Sequence, residues 1–295
     1  MRDLLTEGIP VVDLLEILHS TGKVGEVLSL DQSSVSRIYR QVNDALDLNI
    51  IKYDGMYKPT QNLELLNKLR DSCQALRLCN KDSPVRVFVK PLSLSISDGS
   101  FDLISLTDHS FGLNRGLKLL NEKAIDIFIA DGFEILPEGW SSMQQSTFPA
   151  QDFIGTKLYQ TSIQPATHPD HPLQKFEQLN GREFWSYPSV AVSNNLFPRL
   201  SKELAAKGLW QDQYDIKKYT TKNWEGKSKD RKHIVYINEF ALKLIDESIS
   251  LKMLNYDLGI KSCEVALIHR DNSKNEYLSD YIFQLKGEYA RYKYI

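Results

Sequence analysis

Apolar residues recur at helical spacing through the first 46 positions. Val11, Leu14, Leu15 and Leu18 fall at i, i+3, i+4 and i+7, which predicts a helix with one buried face starting at Pro10, a residue suited to the first helical position. Ser20 or Thr21 is placed to cap a second helix whose Val24, Val27 and Leu28 point inward. Gly25 costs that helix about 1 kcal/mol relative to Ala, and close passage of another helix backbone would account for it. After a turn at residues 29–31, with Asp31 as cap, Val35, Ile38, Val42 and Leu46 stripe a third helix. Its opposite stripe is polar: Ser33, Ser36, Arg37 and Arg40.

The period then changes. Residues 50–53 and 56–58 read as short strands joined by Asp54-Gly55, the two-residue signal for a type I′ hairpin. Thr60 is placed to cap a long helix in which Leu66, Leu69, Cys73 and Leu76 form a heptad-like seam. Such a seam suits pairing with a second copy, and equally a face packed inside the chain. Residues 80–84 read as a linker. Beyond it, strands are expected at 85–89, 101–106 and 125–130, with a helix at 113–123 carrying Leu113, Leu117 and Leu120 on one face. Strand, helix, strand at this spacing predicts a parallel sheet with crossover helices. Further on we expect a loop and strand at 179–187, a helix at 196–207, a strand at 234–237, a helix at 238–249, a strand at 265–268 and a last helix at 278–287.

The chain has 295 residues, 42% hydrophobic and 25% charged, which fits a soluble protein of two or three domains. No apolar run is of membrane length and the N-terminus lacks a secretory signal, so a cytoplasmic location and no membrane partner are expected. Cys73, Cys79 and Cys263 lack metal-like spacing and read as reduced packing residues. Net charge is -2, and in residues 1–60 the acids outnumber Arg2, Lys23, Arg37, Arg40, Lys52 and Lys58. This excludes a general positive field for nucleic acid and leaves a few well-placed cations in a symmetric dimer.

Three helices followed by a hairpin make a winged helix-turn-helix, and the polar stripe of the third helix suits base edges and phosphates in a major groove. The segment DQSSVSR at residues 31–37, with the hairpin and long helix after it, resembles the N-terminal module of LysR-type transcriptional regulators. In that family the recognition helix typically opens Ser-Gln-Ser-x-Leu-Ser-Arg; here the positions hold Asp31, Gln32, Ser33, Ser34, Val35, Ser36 and Arg37. Tyr53 stands where the family usually has a wing arginine, the wing is shorter, and Gly25 replaces a small alanine. The remainder resembles the family's effector region, two α/β lobes like a periplasmic solute-binding protein. The matching text is AIDIFI at 124–129, HPDHPL at 168–173, Tyr187-Pro188-Ser189, VYINEFALKL at 235–244 and IHRD at 268–271. Residues 85–126 run short of the family pattern, so the first crossover helix, whose N-terminus often meets an anionic effector, is expected to be truncated or missing.

The implied architecture is α/β: a winged helix-turn-helix at 1–59, a dimerisation helix and hinge at 60–83, and a two-lobed effector domain at 84–295. The first lobe would take 84–155 and 265–295, the second 156–264. The expected DNA contacts are Gln32, Ser33, Ser36, Arg37 and Arg40, with Lys52 and Lys58 on the wing touching backbone or minor groove. A small-molecule effector, anions included, is expected between the lobes near Ser93, Ser95, Ser189, Asn194 and Asn238, although hydroxyl and amide residues are also the usual turn formers. Leu66, Leu69, Cys73 and Leu76 would pair two or four copies. His168 and His171 have the spacing of a metal pair but lack a third ligand, and read as a structural loop. The basic run at 227–233 reads as an exposed loop. No cofactor is implied, and no nucleophile with its base argues for an enzyme. The other reading is a two-lobed solute-binding sensor whose winged domain contacts protein and not DNA.

Overall fold

A computed structural model describes residues 3–53, 55–80, 83–89, 103–106, 113–135, 147–150, 152–177, 179–180, 182–190, 197–209, 224–238, 242 and 249–291. Asp54, Ser93, Ser95, Asn194, the shortened crossover segment and nearly all of the expected 238–249 helix lie outside them.

The N-terminal unit is α1 (Ile9–Leu18), α2 (Thr21–Leu28), α3 (Gln32–Leu46) and the hairpin of β1 (Ile51–Tyr53) and β2 (Met56–Lys58). Ser20 caps α2, accepting from the Lys23 amide at 3.3 Å. Gly25 is explained differently from expectation. A Cβ there would stand 2.4 Å from the Leu30 carbonyl oxygen, so the close approach comes from the turn between α2 and α3. Val27 is 37% exposed instead of inward. The larger departure is α1, which buries Ile9, Val11, Val12, Asp13, Leu14, Leu15, Glu16 and Ile17 in place of one face. A helix apolar nearly all round needs neighbours on every side.

One of those neighbours is α4 (Leu63–Cys79). Thr60 does not cap it: its hydroxyl donates to the Asn49 carbonyl at 2.8 Å. Asn62 takes the capping position in a left-handed conformation, φ 50°, while its amide donates to the carbonyls of Leu46 and Asp47 that end α3. The expected pairing seam is corrected here. Leu66 and Cys73 are buried in the chain's own core, and Leu69 packs against it. The apolar residues left outward are Leu63, Leu65 and Leu76, 44%, 44% and 46% exposed.

The rest is built on a mixed sheet, in which the strands expected at 85–89, 101–106 and 125–130 are the parallel part. Its strands are β3 (Val85–Val89), β4 (Leu103–Leu106), β5 (Ile127–Asp131), β6 (Thr147–Ala150), β7 (Phe153–Thr167), β8 (Val235–Asn238), β9 (Lys252–Met253) and β10 (Ile260–His269). The order is β4-β3-β5-β10-β7-β6, with β8 and β9 pairing the far end of β7. β3 is parallel to β4 and β5; every pairing of β7 and β10 is antiparallel. β7 was absent from the expectations because Gly155 and Pro165 interrupt it and polar residues fill it, signals that ordinarily break or demote a strand.

Helices α5 (Leu113–Asn121), α6 (Gly132–Ile135), α7 (Pro198–Ala206) and α8 (Glu276–Arg291) complete the described elements apart from a π-helical turn at Leu4–Gly8 and short 3-10 turns. One of those turns, Arg182–Ser186, stands where a strand was expected; another, Glu225–Asp230, enters the basic run, whose Lys229, Asp230, Arg231 and Lys232 are exposed as expected while Ser228 is buried. One apolar core spans α1, α2, α3, Phe88, α5 and Phe128, a second surrounds Trp224, β8 and α7, and a third lies between β3 and α8.

Candidate nucleic-acid interface

Asp31 sets the start of α3. Its carboxylate accepts from the Ser34 amide at 2.8 Å, from the Ser34 hydroxyl at 2.7 Å and from the Ser33 hydroxyl. Those bonds, Ser33 first, hold the Asp31 carboxyl well below the usual carboxylate range, so a negative charge sits at the positive end of the helix dipole. Val35, Ile38 and Val42 are buried, which turns Gln32, Ser33, Arg37 and Arg40 outward with Ser36 half-buried among them. Together with Gln41 and Asp44 these five residues line one open concavity of ≈ 600 Å³. Gln32 is partly committed, because its amide donates to the Thr21 hydroxyl at 3.0 Å across the α2–α3 turn.

The hairpin is fastened beside this face by aromatic contacts that periodicity does not reveal. Tyr57 meets Tyr39 of α3 edge-on at 5.7 Å, Lys52 lies over the Tyr57 ring at 5.0 Å, and Arg40 lies 6.0 Å from the Tyr39 centroid. Lys52, Tyr57, Tyr39 and Arg40 thus form one cation–aromatic ladder from wing to helix. Lys58 is exposed on β2, and Tyr53 is 74% exposed beside the turn.

Of the residues expected around an effector, Ser189 and Asn238 lie among the described residues. Ser189 is 3% exposed and donates to the Leu209 carbonyl at 2.7 Å, a carbonyl that also accepts from Tyr236 at 2.9 Å. Asn238 is the last residue of β8, buried and opposite Ile163. Two features that the sequence did not single out mark the middle of the sheet. Gln160, Thr161, Ser162, Gln164 and Lys261 line a polar concavity of ≈ 220 Å³. Glu134 of α6 accepts from the amides of Arg199 and Leu200 at 3.0 Å each, so the N-terminus of α7 already faces the chain's own carboxylate.

His168 and His171 serve the backbone. Each accepts from an amide two residues on, Asp170 and Leu173, at 3.1 Å, and burial lowers the His171 pKa. Among the described residues, no group of three or more His, Cys, Asp or Glu is placed to hold a metal ion, and no helix is long and apolar enough to cross a membrane. Burial pushes the Cys73 thiol up to about 11 and the Cys263 thiol up to about 12, values that disfavour a reactive thiolate.

No protein-family model matches the chain, and no curated protein does. Solved structures do. A full-length OxyR mutant from Pseudomonas aeruginosa aligns with a TM-score of 0.55 at 10% identity, over 98% of this chain and 97% of that one. A probable transcriptional regulator from Pseudomonas aeruginosa gives 0.55 at 16% identity, over 95% of each chain. An OxyR mutant from Corynebacterium glutamicum gives 0.53 at 15% identity, over 99% of this chain and 94% of that one. At these identities the likeness is one of fold alone, shared along nearly the whole chain with those solved structures.

Proposed function

We propose that the chain is a LysR-type, sequence-specific DNA-binding regulator that works in the cytoplasm as a homo-oligomer. The observation that carries this reading is the outward face of α3, where Gln32, Ser33, Ser36, Arg37 and Arg40 share one concavity beside the hairpin cations. Residues 1–59 are the winged helix-turn-helix, 60–83 the pairing helix and linker, and 84–295 two lobes with a small-molecule effector between them. Arg37 reads guanine, a bidentate contact worth about 1–3 kcal/mol of discrimination. Because the unit is not basic overall, affinity comes from two units on a twofold site. The polar concavity at Gln160 and Lys261 is the better effector candidate among the described residues, since the Ser189 hydroxyl is spent on the Leu209 carbonyl.

A gel shift with the protein's own upstream DNA tests the reading. Folded oligomeric protein is expected to shift it at low salt, and Arg37→Ala to lose specific binding with the oligomer intact. No shift sinks the proposal. The second reading, a solute sensor whose winged domain contacts protein, is favoured by Asp44 lying in the same concavity and by the acidic balance of residues 1–60. It requires ligand binding without DNA affinity and indifference to Arg37→Ala.

A further inference from the structure

Asp13 and Glu16 belong to α1, yet each is gripped from two directions. Asp13 accepts from Arg70 Nε of α4 at 2.7 Å and from Arg86 Nη1 of β3 at 2.9 Å. Glu16 accepts from Arg70 Nη2 at 2.6 Å and from Arg115 Nη2 of α5 at 2.7 Å. Arg70 also donates to Glu122 at 2.8 Å, and Arg77 of α4 holds both oxygens of Asp126, at 2.9 and 2.7 Å. Four arginines meet four carboxylates, with Lys118 at the edge 3.3 Å from Glu122. Its centre is buried: Asp13, Arg70 and Arg86 are 1%, 2% and 3% exposed, while the side chains of Arg115 and Glu122 at the rim keep 17% and 15%.

Neither side of this cluster can be withdrawn cheaply. Separating α1 from the sheet would leave Asp13 and Glu16 short of partners beside an apolar core that already joins Leu14 and Leu15 to Phe88, Leu119 and Phe128. The linker is held at both ends. Leu78 is buried in the core beneath α8, and the Ser83 carbonyl accepts from the Tyr277 hydroxyl at 3.3 Å.

We infer that the N-terminal unit, α4 and the first half of the sheet move as one rigid body, with the buried Asp13–Glu16 cluster as the lock and residues 80–84 not acting as a hinge. In the regulator proposed above, a change in angle between the lobes then carries α3 with it, and the signal passes through α1 instead of along the linker.

Spin labels at Glu26→Cys on α2 and Asn121→Cys on α5, both exposed positions, in a Cys79→Ser background report the distance between the two bodies by pulsed electron resonance. The full-length chain is expected to show a single narrow distance distribution that a short Gly-Ser insertion after Asn80 leaves unchanged. Asp13→Asn with Glu16→Gln is expected to lose the narrow peak while circular dichroism retains the helical signal. Should that pair fail to fold, Arg86→Gln with Arg115→Gln removes the same cross-links from the sheet side and is read in the same way. A broad distribution in the unaltered chain, broadening on insertion, or a narrow peak that survives the folded variant overturns the inference. The measurement involves no DNA, so a failed gel shift and a broad distribution are separate outcomes.

Discussion

Among the described residues, Arg70 is the one on which the most carboxylates converge, with Asp13, Glu16 and Glu122 around one guanidinium. Burial opposes its charge, but the three carboxylates overcome that and raise its pKa. Removing one partner of a buried cluster strands the others, so Arg70→Met should cost about 3–5 kcal/mol in urea unfolding at neutral pH. The acid dependence follows from the carboxylates. Burial opposes ionisation of Glu16 and Asp126, but Arg70 and Arg115 hold Glu16 below its ordinary 4.5, and Arg77 and Arg86 hold Asp126 below its ordinary 3.8. A depressed folded pKa stabilises fully above the unfolded value and is lost as pH falls through the lower folded one. The cluster should therefore persist as pH drops to those ordinary values and release only below them, read as loss of near-ultraviolet dichroism.

At the scale of elements, α4 shows how a stripe and its neighbours can trade places. The spacing of Leu66, Leu69, Cys73 and Leu76 is a genuine helical face, but Leu66 and Cys73 are buried within the chain. The outward stripe is one position earlier, through Leu65 and Leu76, with Leu69 at its edge. If α4 pairs two copies, Leu65→Glu with Leu76→Glu should shift the oligomer to monomer in light scattering without loss of fold. Leu66→Ala should instead cost roughly 2–5 kcal/mol of stability, as a core truncation does. A dimer unmoved by the double change would place the pairing surface elsewhere. The heptad reading could not choose between these faces, because adjacent stripes on a Leu-rich helix differ only in what packs against them.

Across the whole molecule, the shared core of α1, Phe88, α5 and Phe128 means that the N-terminal unit and the first half of the sheet should unfold together. Amide exchange under rising denaturant is expected to give one transition for α1 and β5; separated transitions would mark two independent cores. The local text was legible where one rule dominates. The apolar stripe of α3, its Asp31 cap, the two-residue hairpin and the amphipathic α5 follow from periodicity, capping chemistry and turn chemistry, all of which act over a few residues. The outward placement of Gln32, Ser33, Ser36, Arg37 and Arg40 follows from the same stripe. The tertiary structure alone decided the rest. β7 is a strand in spite of Gly155 and Pro165 because β10 and β6 flank it at Gly155, and β8 and β9 pair it around Pro165. Ser189 went to a buried carbonyl, α7 received the Glu134 carboxylate at its N-terminus, and α1 gained arginines for Asp13 and Glu16. Each of these depends on partners tens of residues away, and a buried charge or carbonyl is satisfied by whichever group the fold brings within hydrogen-bond reach, which no local pattern encodes.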